Sequence, residues 1–449
     1  HIFIGYLWNV DSRKNRRDFK MKKGLSVLLF LLISATLIFA QATTEQKVVA
    51  KEKITLRYQD WRLTEEPSGS ILKEIIGEYQ TMHPNITVEI EPIPAGERDR
   101  MFIIQSEGGD APDIVRVMPG SLPNFVEKGY VLPIDALASK EQGFFDKWAP
   151  HLLKAGEWKG KAYGIPSEGD VYILYVNKEL YQKAGLDPYK PATTWNEWLS
   201  DMKKIADPKN KIYGTAIQAM KATSPPLFLQ TFFLANGANF FNEDYTEVIM
   251  DSPEGIAAFK FFIELYTVHN LIPNPTEVGY NEMTMMFANG NVASMMLHGI
   301  GRGVIEAKNP TIKDKMISVP FPGKTNAIAG RGTLYALSSK TKHAEAAWDL
   351  VRYITSKENQ LKFWHQGKTF PALLEALGDP AIADDPVAKT VLDETPNGVN
   401  APLTPVWPEV CNLLMTAIQE AYLKVKTPEQ ALRDAAAASR VVLSKTNAK

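Results

Sequence analysis

The sequence predicts an α/β fold divided between two packed bodies, and three observations carry that expectation. Its 449 residues exceed what one hydrophobic core accommodates, so two domains are expected. A run over residues 54–61, a helically spaced apolar set over 71–79 and a second run over 87–90 make a strand–helix–strand unit of a mainly parallel sheet. Between Trp158 and Leu180, two stiff apolar runs flank the polar stretch Ser167-Glu168-Gly169-Asp170. A chain crossing between two bodies needs that arrangement.

Taken in order, Ile54 to Trp61 alternates enough for a first strand. Ile71, Leu72, Ile75, Ile76 and Tyr79 share one face of a helix. His83 is a turn residue held extended before Pro84, and Thr87 to Ile90 follows as a strand. Gly108 to Val117 is a glycine-rich turn feeding a buried strand. It lacks the Gly-Lys-Ser/Thr and G-x-G-x-x-G patterns of a phosphate cradle. Trp158-Lys159-Gly160-Lys161 reads as a hairpin turn in which Gly160 supplies the positive φ. Ala162 to Ile165 continues as a strand, and Pro166, having no N–H, is expected to end its pairing. Ser167 to Asp170 then reads as a flexible link, and Val171 to Val176 as a strand buried on both faces.

Thr194 and Glu197 form a capping box opening a helix whose Trp195 and Trp198 anchor the core. Asp251 to Glu254 opens another, with Pro253 tolerated in the first turn. Gly290 turns the chain into a strand ending at Met296. Ala329 to Tyr335 is a returning strand, and Ala344, Ala347, Trp348, Val351 and Ile354 form an apolar helical stripe. The chain ends in a helix from Cys411 to Tyr422 and a last one opened by the capping box Thr427-Pro428-Glu429-Gln430. No repeat or low-complexity segment is present.

Gly164-Ile165-Pro166, an acidic residue, a hydrophobic strand and then Tyr175-Val176-Asn177-Lys178-Glu179-Leu180 resemble the first inter-lobe crossing of the family 1 extracellular solute-binding proteins. These are the sugar-binding subunits of ABC importers, and their usual Tyr-Tyr-Asn-Lys carries Val176 here in place of the second Tyr. His83-Pro84-Asn85 with its following strand, Phe287 to Met296, and Pro320-Phe321-Pro322-Gly323 at a second crossing add to the resemblance, which runs from Ile54 to the last helix. It implies a two-lobed, maltose-binding-protein-like fold of the type II periplasmic class, with a ligand cleft between lobes joined by a hinge. Residues 43–167 with 326–376 would form the N-terminal lobe, and 168–325 with 377–449 the C-terminal lobe. It also implies a carbohydrate or polyol ligand, no catalysis, and a permease and ATPase as partners of a monomer. Pro112-Asp113 before a hydrophobic strand would aim Met118 to Ser121, Gly120 included, at the cleft.

The N-terminus is expected to be processed. Met21-Lys22-Lys23, the apolar run Leu25 to Phe39 and the small residues Ala40 and Ala42 read as a secretory signal peptide cleaved after Ala42. A membrane anchor is the competing reading; the short run and the small-residue site oppose it. No cysteine stands at the cleavage site, so lipidation there is not expected. Residues 1–20 precede this start, and Arg16-Arg17 would be encoded by a ribosome-binding AGG-AGG; they are expected to be untranslated leader. The exported chain keeps 43 basic and 49 acidic side chains, net −6, which suits a neutral or cationic solute in the periplasm or medium. The single Cys411 excludes an intramolecular disulfide.

No zincin, Cys-x-x-Cys, Gly-x-Ser-x-Gly or Walker pattern is present, so neither a metal nor a cofactor is expected. Glu168 and Asp170 are a close acidic pair, but glycosidase carboxylates flank a scissile bond about 5–9.5 Å apart, and neighbours on one strand seldom do. A secreted carbohydrate-active enzyme stays the rival reading, with a binding protein for a glycerol phosphate ester as another. Sugars present vicinal hydroxyls and apolar faces, which carboxylates, arginines and aromatic rings meet. By position at expected cleft loops, the candidate ligand residues are Trp61, Gly120, Glu168, Asp170, Tyr172, Phe232, Asn236, His298, Gly299, Arg302, Arg331, Trp364 and Trp407. For Trp61, Trp364 and Trp407 a core position competes with stacking on a ligand, and for Arg331 a hinge salt bridge competes.

Overall fold

In the computed structural model, residues 52–220 and 225–447 are described. The expected leader and signal peptide lie outside the described residues. Strands β1 (Ile54–Asp60) and β2 (Ile86–Pro92) pair in parallel, Ile54 opposite Ile86 through Asp60 opposite Pro92. Helix Ser68–Met82 connects them and buries Ile71, Leu72, Ile75, Ile76 and Tyr79, the set its spacing predicts. β3 (Ile114–Val117) flanks β1 on its other side, also parallel. Hairpin β4 (Glu157–Trp158) and β5 (Lys161–Ala162) turns through Lys159 and Gly160, both at positive φ (48° and 77°), as a two-residue type I′ turn requires.

The remaining strands are β6 (Gly164–Asn177), β7 (Ser294–His298), β8 (Met316–Val319), β9 (Ile328–Leu337) and β10 (Gly398–Val399). The sheet order is β2-β1-β3-β9-β6-β7, with β8 on β6 and β10 on β9. β6 corrects the expectation of two strands and a flexible link: it is one strand of 14 residues that includes Ser167 to Asp170. Pro166 does not end it, because the register against β9 slips between Pro166 and Glu168, and such an irregularity absorbs the missing donor. Up to Val171, β6 pairs antiparallel with β9; beyond it, β7 and β8 take over as partners.

That change of partners is also a change of core. Ile165 of β6 and Tyr335 and Leu337 of β9 pack with Leu56, Tyr58 and Trp348. Val171 to Val176, with Ile328 and Ala329, pack with Trp198, Phe232 and Phe259. Leu334 and Ala336 face the opposite way, onto Phe102, Val117 and Phe125, as strand alternation dictates. Near residue 367 the chain shares itself out again: Trp364 and Phe370 join the second core, Phe363 and Ala372 the first.

The Thr194–Glu197 capping box is present, and Ser252 caps helix Pro253–Thr267. The helix expected from Cys411 begins at Trp407, which is therefore a helical residue and not part of a loop. Thr427 Oγ1 accepts the Gln430 N–H at 3.2 Å at the start of the last helix, Pro428–Asn447. Among the described residues no helix is long and apolar enough to cross a membrane.

Candidate functional site: a cavity over a buried charge network

β1 ends in Asp60, whose carboxylate ties the strand end to two arginines. Its Oδ1 accepts the Arg62 N–H at 2.8 Å, tightening the chain into the 3₁₀ turn Trp61–Thr64. Its Oδ2 accepts the Tyr58 hydroxyl at 2.6 Å and Arg116 Nε at 2.8 Å. Arg116, on β3, reaches across to β6 and β9 through Ser167 Oγ (2.7 Å), Thr333 Oγ1 (2.6 Å) and the Tyr335 hydroxyl. Its guanidinium lies 4.6 Å from the Tyr335 ring centre.

Glu168 sits inside this frame. It accepts from Arg62 Nη2, lies 3.4 Å from Arg331 Nη1 and 3.6 Å from Arg116 Nη1. Burial opposes its charge, but the three guanidinium groups outweigh burial and hold the acid at about 2. Two residues on, Asp170 behaves oppositely. Burial pushes its acid up to about 6, offset in part by Arg331 and the Ile300 N–H, and reinforced by Glu168. Its Oδ2 accepts that N–H at 2.7 Å and lies 3.8 Å from His298 Nδ1. Burial above all, with Arg331 and Arg62 adding to it, drives the His298 imidazole well below its usual range, so it is neutral.

Above the network opens a cavity of about 790 Å³. Trp61, Arg62, Arg98 and Met118 line it from the β1–β3 side, and Tyr172, Gln218, Phe228, Tyr280 and His298 from the other core, with Arg331 of β9 between. Arg98 lies 5.2 Å from the Trp61 ring centre, and the Tyr280 and His298 rings are parallel at 5.9 Å. Four side chains of this wall hold a buried polar atom with no protein hydrogen bond: Arg62 Nε, Arg98 Nε, Gln218 Oε1 and His298 Nδ1. Among the described residues no cluster of metal-ligating side chains occurs.

Of the residues singled out by sequence, Trp61, Tyr172, His298 and Arg331 meet at this wall. Glu168 and Asp170 lie behind it, Glu168 bound to the wall's own arginines and Asp170 to the Ile300 N–H. The others lie elsewhere, each for a packing reason. A side chain on Gly120 would come 2.3 Å from the Trp407 indole, and Trp407 itself stacks on Phe240 at 5.4 Å. Phe232 is wedged among Trp198, Phe262 and Phe321. Asn236 spends its amide on the Glu254 carbonyl at 2.7 Å. Gly299 is closed over by Phe370 and Val391. Arg302 is paired with Glu306 and Asp385. Trp364 is buried edge-on to Phe370 at 5.0 Å.

Sequence reasoning missed Arg62, Arg98, Gln218, Phe228 and Tyr280. Arg62 stands at a strand end next to Trp61 and could have been included on that signal. Tyr280 opens the short helix Tyr280–Ala288, and nothing local marks it as a wall residue.

Comparison with known proteins places this geometry. The family model described as bacterial extracellular solute-binding protein matches residues 64–361, more than half of the chain. The maltotriose-binding protein of Pyrococcus abyssi is 27% identical over 342 residues, 73% of this chain and 69% of that protein. A solute-binding protein of an ABC transporter from Thermotoga lettingae, solved with α-D-tagatose, is 26% identical with a TM-score of 0.82, covering 88% of this chain and all of that one. A maltose-bound protein of T. maritima superimposes with a TM-score of 0.79 at 21% identity, over 87% of this chain and all of that one, a likeness of fold. The architecture is thus the two-lobed one.

Proposed function

As the chain belongs to the bacterial extracellular solute-binding proteins, we propose that it is the extracytoplasmic binding subunit of an ABC importer, capturing a small sugar or polyol between its lobes. The observation that carries this is the composition of the cavity wall. Its volume falls within the range of about 300–1,000 Å³ usual for small-molecule sites. Trp61, Tyr172, Phe228 and Tyr280 offer aromatic surface to the C–H faces of a sugar. Arg62 Nε, Gln218 Oε1 and neutral His298 offer donors and acceptors to hydroxyls. Burying such groups without partners is costly, so a hydroxylated ligand gains what they lack. The maltotriose and tagatose of the relatives are of this class.

Closure of the lobes about β6 and β9 would exclude water and present a distinct closed form to the permease. The protein acts as a monomer exported by its signal peptide. It performs no catalysis: Glu168 is ion-paired three ways and Asp170 stands beside it on one strand.

A thermal-shift screen of the exported protein against monosaccharides, cyclitols, disaccharides, maltotriose and glycerol phosphates tests this reading. A ligand at 100 times its Kd adds about 2.7 kcal/mol to stability. A clear shift with one sugar or polyol, recovered unchanged, is expected. A shift with glycerol phosphates alone overturns the ligand class, and product formation overturns the binding-protein reading.

A further inference from the structure

Resting on the reading that this cavity receives a hydroxylated ligand, we propose that Glu168 is a positioning residue that fixes the guanidinium groups of Arg62 and Arg331 in the cavity wall without lining it. Three segments converge on its carboxylate, which β6 carries: Arg62 comes from the turn after β1, Arg116 from β3 and Arg331 from β9. Oε1 is shared: Arg62 Nη2 donates to it, and Arg331 Nη1 lies 3.4 Å away. Arg116 stands behind at 3.6 Å from Oε2 and does not line the cavity. It is committed instead to Asp60, Ser167, Thr333 and Tyr335.

The two wall arginines depend on this carboxylate to different degrees. Arg62 has a second anchor, Glu65 Oε2 at 3.2 Å from Nη1. Arg331 contacts Glu168 and, at 4.0 Å, Asp170, both through Nη1. Among the described residues no carboxylate other than these two stands within ion-pair reach of Arg331. A buried carboxylate holds a guanidinium on its long flexible stem in one orientation. Glu168 is buried, so water does not compete for the pairing, and its charge is retained through the neutral range. The carboxylate therefore acts on a ligand through the arginines, in a bridge of Arg62, Glu168 and Arg331 that joins the turn after β1 to β6 and β9.

Guanidinium ¹H–¹⁵N spectra of arginine-labelled protein test this without any ligand. In the wild type, resolved, slowly exchanging Nη signals are expected for both Arg62 and Arg331. In Glu168→Gln, the Arg331 Nη signals should merge by rotation and the Arg62 Nη2 signal should shift, while Arg116 Nε stays with Asp60. Unchanged Arg62 and Arg331 signals in that variant overturn the proposal. If Glu168→Gln does not fold, the wild-type spectrum still decides: a freely rotating Arg331 guanidinium overturns it, and a restrained one whose rotation is released on acidification through the Glu168 titration supports it. Affinities for D-tagatose and maltotriose are then compared. Where the wild type binds either sugar, Glu168→Gln should bind it at least tenfold more weakly and Glu168→Asp should recover part of the loss; equal binding overturns the proposal. Binding of neither sugar by the wild type counts against the ligand reading alone, because the spectra judge the positioning separately.

Discussion

Asp170 and Arg331 are direct register partners across β6 and β9, yet the Asp170 Oδ1 stands 4.0 Å from Arg331 Nη1, beyond hydrogen-bond reach. Oδ1 is buried without a hydrogen-bond partner. A carboxylate so placed is held by charge at a distance and penalised by burial at close quarters, which raises its pKa.

Asp170 therefore gives stability a pH dependence of definite sign. Its folded value of about 6 exceeds the ordinary 3.8, so the stability it contributes is complete below about pH 3.8 and is lost as pH rises through 6. Asp170→Asn removes that loss. Relative to wild type, the variant should gain with rising pH between about 4 and 7, by up to about 3 kcal/mol. Urea unfolding at three pH values checks this; a difference that is flat with pH contradicts it.

Glu168 behaves in the opposite sense. Its folded value of about 2 lies below the ordinary 4.5, so its contribution is present above pH 4.5 and disappears as pH falls toward 2. Glu168→Gln leaves three buried guanidinium groups short of an anion and should cost about 3–5 kcal/mol at neutral pH. The cost should shrink in acid, which denaturant titrations at pH 7 and pH 3 would register.

Trp61 and Trp364 separate binding from packing. Trp61 lines the cavity, and Trp364 is buried against Phe370. Trp61→Ala should weaken ligand binding at least tenfold, or about 1.4 kcal/mol. Trp364→Phe should lower the melting temperature and leave affinity within about twofold, an energy of about 0.4 kcal/mol. Calorimetric titration of both variants with the ligand from the thermal screen distinguishes the roles.

Gly120→Ala tests a contact between distant segments. The added methyl would meet the Trp407 indole at 2.3 Å. Overpacking of this kind costs about 1–3 kcal/mol. A melting curve showing no destabilisation would mean that the Trp407 ring moves aside freely.

Thr194→Ala removes the hydroxyl that accepts the Glu197 N–H at 3.2 Å. A loss of about 1 kcal/mol is expected, with Thr194→Ser restoring most of it.

What the sequence made legible was local. The helix face of Ile71 to Tyr79, the hairpin at Lys159-Gly160 and the Thr194–Glu197 box each depend on residues within a few positions of one another. The length of β6 was not legible, because Pro166 is accommodated by its register with Leu334 on β9, far along the chain. Trp61, Tyr172, His298 and Arg331 fall together at the cavity wall because each lies at or beside a strand end or a crossing, where ligands gather in open sheets. Trp407 and Gly120 lie away from the cavity because they pack on each other, a contact between distant segments that no local pattern reveals. Glu168 and Asp170 were found as residues, but their standing behind the wall depends on arginines contributed by three other segments.

The sharing of β6 and β9 between two cores also fixes when this protein can fold during its own synthesis. The core that begins at Leu56 is completed by Tyr335, Trp348 and Ala376, and the other, begun at Val171, by Leu443. A nascent chain that has reached residue 330 thus has neither interior finished, although most of its length has been made. Such a chain stays threadable until its last quarter emerges, a timing written into the order of the strands and not into any one residue.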